Sequence, residues 1–174
     1  MAIPDLPDTA LSRRVDPMLA AIGRGVSWLW MLLLVIIVGN VLLRYVFGEG
    51  RIELEEIQWH IYSVGFLLGL SYAFQADAHI RVDVVSARLP VRWRAWLELY
   101  GLLLAVFPFC ALVLWYSGPF VALSWNLSEV SQAPGGLPYR WAIKAVLPIG
   151  FILLLLAALS RFSRVWRFLF GAVS

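Results

Sequence analysis

Four stretches of this chain are almost continuously apolar, and the polar residues fall mainly between them. They run roughly over Val26–Phe47, Leu54–Phe74, Trp96–Trp115 and Trp141–Leu159. Each approaches or exceeds the ~20 residues that a helix needs to cross a hydrocarbon layer about 30 Å thick. The pattern predicts an all-α polytopic membrane protein with four transmembrane helices. Residues 1–16 read as a flexible leader, 17–160 as the membrane domain and 161–174 as a basic tail. The first apolar run follows a polar leader and is too long for a signal-peptide core, so it is expected to stay in the mature chain.

Local signals refine these elements. Asp16-Pro17 is a helix start, an oxygen acceptor followed by proline at the first helical position. Gly48 closes the first helix, whose most polar deep residue, Asn40, suits an interhelical hydrogen bond. Pro108 is placed to kink the third helix, Gly118-Pro119 to end or bend it, and Pro138 stands where the fourth begins. Between the second and third spans, Asp77, His79, Arg81 and Asp83 alternate with Ala78, Ile80, Val82 and Val84. That period of two predicts an extended interfacial segment.

The second span is the unusual one. It opens EEIQWH, with carboxylates, an amide and a histidine crowded into its first turns. At about 100° per residue, Glu53, Glu56, His60, Ser63 and Ser71 share one stripe, and Glu56 and His60 are spaced to hydrogen-bond. Gly65 and Gly69 lie on the other side as G-x-x-x-G, a spacing that permits close approach of a neighbouring helix. The span is therefore expected to be packed on two sides. Three readings fit the glutamates: anions favoured at a helix N-terminus near water, an interhelical or intersubunit contact, or an ion relay.

Composition agrees with the membrane reading, since 61% of the 174 residues are hydrophobic and 14% charged. Soluble domains carry nearer a quarter charged. Charge placement predicts orientation, because Lys and Arg near span ends favour the cytoplasmic side. Arg13, Arg14, Arg24, Arg81, Arg88, Arg92, Arg94, Arg161, Arg164 and Arg167 fall on one side of the four-span layout. Arg44, Arg51, Arg140 and Lys144 fall on the other, with Glu49, Glu53, Glu55, Glu56 and Glu129. Both termini are thus expected in the cytoplasm, and topology explains the basic balance without nucleic acid.

Several chemistries are disfavoured. A lone Cys110, mid-span, forms no intrachain disulfide and reads as a small core side chain. His60 and His79 would stand about 28 Å apart on one continuous helix, too far to ligate one haem together. Small four-span drug exporters carry a glutamate inside the first span, and this first span has none. No nucleophile–base pair, phosphate loop or metal spacing is spelled, so no catalytic residue, metal or cofactor is assigned and the chain is not read as an enzyme.

Certain local patterns coincide further. RYVFG (44–48) ends the first span, EE (55–56) opens the second, and FLLGLSYAF (66–74) leads into DAHIRVDVV (77–85). RLP (88–90) and LP-x-G-F (147–151) follow. Over roughly residues 25–160 the chain resembles the small permease subunit of tripartite ATP-independent periplasmic (TRAP) transporters. QWH and GGLPYRWAIKAVLPIGFILL look most like the mannitol/chloroaromatic-type subgroup. One departure stands at Glu53-Leu54, where many relatives have Trp-Ser. The resemblance implies a bacterial inner-membrane subunit that packs on and widens the static scaffold of a large membrane subunit. It also implies sodium-driven uptake of an organic anion delivered by a periplasmic substrate-binding protein. Glu53, Glu56, His60, Gly65, Gly69, Asp77, His79, Arg81 and Asp83 are the candidates for subunit contacts or for the membrane rim. The alternative is a stand-alone small membrane protein, either a homo-oligomeric transporter or a haem/redox-complex anchor.

Overall fold

The computed structural model describes residues 6–78 and 89–171. The described residues form long helices: α1 (Ser12–Val46), α2 (Ile52–Gln75), α3 (Val91–Asn126) and α4 (Arg140–Phe170). Of these, α1, α3 and α4 are long and apolar enough to cross a membrane. The polar opening of α2 lowers its average apolarity.

α1 begins a turn earlier than Asp16-Pro17, which lies inside it. The start is fixed upstream, where the Ser12 N–H donates to the Thr9 hydroxyl at 3.1 Å and the Thr9 N–H to the Ser12 hydroxyl at 2.9 Å. This reciprocal pair satisfies donors that an open helix end leaves bare. Pro17 sits in the second turn, inside the helix and past the first turn where its missing N–H would cost nothing. At the other end Gly48 adopts φ +72° and the Glu49 N–H returns to the Leu43 carbonyl at 3.1 Å, a glycine-closed stop.

α3 is longer than the expected span. Gly118-Pro119 does not end it; the helix runs through to Asn126. Pro108 is accommodated by a π turn over Leu102–Val106 immediately before it. The wider turn absorbs the hydrogen bond that a proline cannot donate.

α4 packs against each of the other three helices, and α2 lies between α1 and α4. The second helix is thus packed on two sides, through small residues. A methyl group on Gly150 of α4 would come within 2.9 Å of the Leu67 carbonyl oxygen of α2. One on Gly23 of α1 would overlap the Tyr72 ring, and one on Gly65 would meet Trp30 at 3.3 Å. Gly69, by contrast, faces open space.

The core between these contacts is thin. Cys110, Phe151 and Leu154 form one buried cluster, and Val15, Leu19 and Ala157 another. Only 11%, 17% and 28% of the most apolar stretches of α1, α3 and α4 are buried. A closed bundle would cover more, so the helices form a shallow layer. Broad apolar faces remain open, with Val35 66% and Leu104 76% exposed.

Candidate functional site

At the end of the layer that carries the α1–α2 and α3–α4 connections, the acidic start of α2 meets the loop 127–139. The Ser131 hydroxyl and the Leu137 N–H, the latter at 2.6 Å, both donate to the carboxylate of Glu56. The loop folds around that anion. Ser131 and Leu137 also pair through their backbones at 3.1 Å, the Ala133 N–H donates to the Ser131 hydroxyl at 3.2 Å, and the Gly136 N–H to the Ala133 carbonyl at 2.9 Å. A side chain at Gly136 would strike Ser131 and crowd the Glu56 carboxylate. Glu53, one turn earlier, places its carboxylate beside Gly135. In the polar opening of α2 the Glu56 carboxylate is therefore partly covered and satisfied by the chain's own loop, while Glu53 and Glu55 stay exposed.

The same loop is pinned to α4. The Arg140 N–H donates to the Glu129 carbonyl at 3.1 Å, and the Lys144 ammonium to the Glu129 carboxylate. Lys144 also lies 4.4 Å from the centre of the Phe120 ring, a cation–π contact. The hydrogen bond and charge of Lys144 hold the Glu129 carboxyl below its ordinary range.

The rest of the polar stripe on α2 turns inward on its own helix. The His60 Nδ1 is 2.5 Å from the Glu56 backbone carbonyl, so the expected partner, the Glu56 carboxylate, is engaged elsewhere. The Ser63 hydroxyl donates to the Trp59 carbonyl and the Ser71 hydroxyl to the Leu68 carbonyl. These are local backbone contacts of the kind serines make in apolar helices. They do not link into a file of polar groups crossing the layer.

At the opposite end, arginines of the expected tail turn inward. Arg161 donates to both carboxylate oxygens of Glu98, one of them at 3.2 Å, and lies 3.7 Å from Asp77. Arg164 pairs with Asp16 at 3.7 Å and donates to the Leu6 carbonyl at 3.1 Å. The Ser160 hydroxyl donates to Asp16 at 2.5 Å. Asp77 itself closes α2 in the left-handed region at φ 56°, with the Ala78 N–H returning to the Ala73 carbonyl at 2.9 Å. Aspartate is among the few side chains that tolerate this conformation. The two ends of the layer thus hold separate polar clusters. Glu53 and Glu56 join one and Asp77 the other, while Gly65 serves the α1–α2 contact. His79, Arg81 and Asp83 lie outside the described residues.

Sequence reasoning missed Ser131, Leu137, Arg161 and Arg164 as partners. A hint exists for the arginines: their three-residue spacing puts both on one face of a helix that continues past the expected span. No local signal pairs Glu56 with a loop some 80 positions away.

A layer of long apolar helices, closed by polar clusters at its two ends, defines a multi-pass membrane protein. The family of tripartite ATP-independent periplasmic transporters, DctQ component, matches residues 33–168, well over half the chain. The chain belongs to that family, whose members are transporter components and not enzymes. None of the curated proteins searched matches it in sequence.

Proposed function

We propose that this chain is the small membrane subunit of a sodium-driven transporter for an organic anion that a periplasmic binding protein delivers. In this reading α2 is a fourth span, both termini face the cytoplasm, and the membrane is the bacterial inner one. At 24 residues α2 is about 36 Å long, enough to cross. The chain packs against the scaffold of a large membrane subunit and widens it; the mannitol/chloroaromatic-type subgroup remains the best reading of its local motifs. Family membership carries this proposal, and the shallow layer supports it. Open apolar faces offer area for a companion, and α2 supplies no connected set of groups to coordinate a moving ion or anion. The loop 127–139, held by Glu56, then faces the periplasm as a formed surface on which a binding protein can rest.

Co-expression with the large subunit tests this directly. The tagged chain should retain the large subunit through purification. Glu56→Ala or His60→Ala should weaken that yield or the uptake of the reconstituted complex. Solute accumulation in liposomes holding this chain alone would overturn the proposal.

A further inference from the structure

At the end of α3 where it emerges from the layer, Arg92, Trp93, Trp96 and Tyr100 line a hollow of about 440 Å³. Its composition is amphiphilic: one cation at the mouth and three aromatic rings behind it. Trp96 and Tyr100 stack with centroids 5.8 Å apart, and Phe170 of α4 meets Trp96 edge-on at 5.5 Å. Those contacts give the hollow a fixed floor. Among the described residues Arg92 makes no hydrogen bond or ion pair. It differs in this from Arg161 and Arg164 at the same end, whose charges are met by carboxylates.

The hollow also leads somewhere. Trp93, Leu97, Tyr100 and Leu104 are 63%, 56%, 52% and 76% exposed. The first three, spaced by four and three residues, align as one stripe along α3, and Leu104 continues the exposed apolar surface in the π turn that follows. An occupant that fits has an anionic group for the guanidinium, a region suited to aromatic rings, and an apolar tail able to follow that stripe. Arginine pairs strongly with phosphate oxygens, and tryptophan and tyrosine settle at headgroup depth. A protein segment would satisfy the stripe but would need its own carboxylate at the mouth.

We infer that the hollow formed by Arg92, Trp93, Trp96 and Tyr100 holds one anionic phospholipid, its phosphate on Arg92 and one acyl chain along Leu97 and Leu104. The site lies on the surface of this chain, and no residue of the Glu56 cluster takes part in it. A basic side chain at a lipid surface contributes about 1 kcal/mol of attraction to an anionic headgroup, about fivefold in affinity.

The test uses native mass spectrometry of the purified full chain in detergent, with phosphatidylglycerol or phosphatidylethanolamine added. The wild type should retain one phosphatidylglycerol about fivefold better than Arg92→Gln. It should also favour phosphatidylglycerol over phosphatidylethanolamine, and excess inorganic phosphate should not displace the lipid. Arg51→Gln, at the other end of the layer, serves as control and should bind as the wild type does. Because Arg92 is exposed and unpaired among the described residues, the variant should keep the wild-type circular dichroism. Trp96→Ala, which removes the floor, should reduce retention of both lipids. Equal retention of phosphatidylglycerol by Arg92→Gln and wild type would overturn the inference. So would displacement by free phosphate, or an Arg92→Gln effect confined to co-purification of the large subunit.

Discussion

Adding one methyl group to glycines at different places in the layer should have opposite effects, and the outcome is set by contacts that the helical pattern does not reveal. Gly150 sits in α4 against the backbone of α2. An added Cβ would come within 2.9 Å of the Leu67 carbonyl oxygen and 3.1 Å of its carbonyl carbon. Neither atom can swing aside as a flexible side chain could, so the helices must separate. Overpacking of this kind costs about 1–3 kcal/mol. Against it stands the gain of replacing glycine by alanine inside a helix, about 0.8–1 kcal/mol. Gly39 in α1 provides that gain alone, since a Cβ there meets nothing within 4 Å. Gly39→Ala should therefore be neutral or stabilising, and Gly150→Ala destabilising by up to about 2 kcal/mol once the helix gain is subtracted. The difference between the two variants isolates the contact. For a chain of this size a contact cost of about 1–3 kcal/mol corresponds to roughly 2–12 °C in unfolding midpoint. Thermal unfolding of the detergent-solubilised protein, followed by tryptophan fluorescence, would read it. If Gly150→Ala unfolds at or above the midpoint of Gly39→Ala, the close approach of α2 and α4 is wrong.

Other predictions follow from the polar clusters. Arg161→Gln should lower stability by about 1.5–3 kcal/mol, because it removes the charged hydrogen bonds that the guanidinium donates to Glu98 and its ion pair with Asp77; adding Glu98→Gln should restore part of the loss in the same unfolding assay. The Glu129 carboxyl is held below its ordinary value of 4.5 by Lys144. Its contribution is thus fully present above that value and lost as pH falls through the lower folded-state value. Midpoints measured from pH 7 downward should stay level to about 4.5 and then drop, and Lys144→Met should flatten that drop. Glu56→Ala should free the loop 127–139, seen as faster proteolysis there with α1–α4 still helical by circular dichroism; an uncut loop would mean Ser131 and Leu137 need no carboxylate to hold their fold.

Much of this protein was legible without coordinates because the bilayer imposes a simple rule. A helix crossing it must be long and apolar, so hydrophobic runs placed α1, α3 and α4 within a few turns of their observed positions, and the start of α2 stood out as polar. Gly48 as a stop and Cys110 as core filling were equally local, each depending on the residue's own conformation or size. The helix ends of α1 and α3 were misplaced for a related reason. Proline is an uncertain boundary signal: Pro17 and Pro119 both lie inside helices that continue past them, and the start of α1 is set instead by the Thr9–Ser12 pair upstream.

The tertiary structure alone decided which polar group meets which. Glu56 could have turned to His60 four residues on, to water or to a neighbouring chain; it turns to Ser131 and Leu137 because α2 and the base of α4 lie side by side. Arg161 and Arg164 read as a solvated tail until α4 is seen to continue between the ends of α2, α3 and α1. Gly65 and Gly69 look equivalent in sequence, yet only the first faces a ring. Periodicity reports the direction a side chain takes from its own helix. What stands in that direction depends on how distant segments pack, and in a layer this thin each such contact is a large share of what holds the helices together.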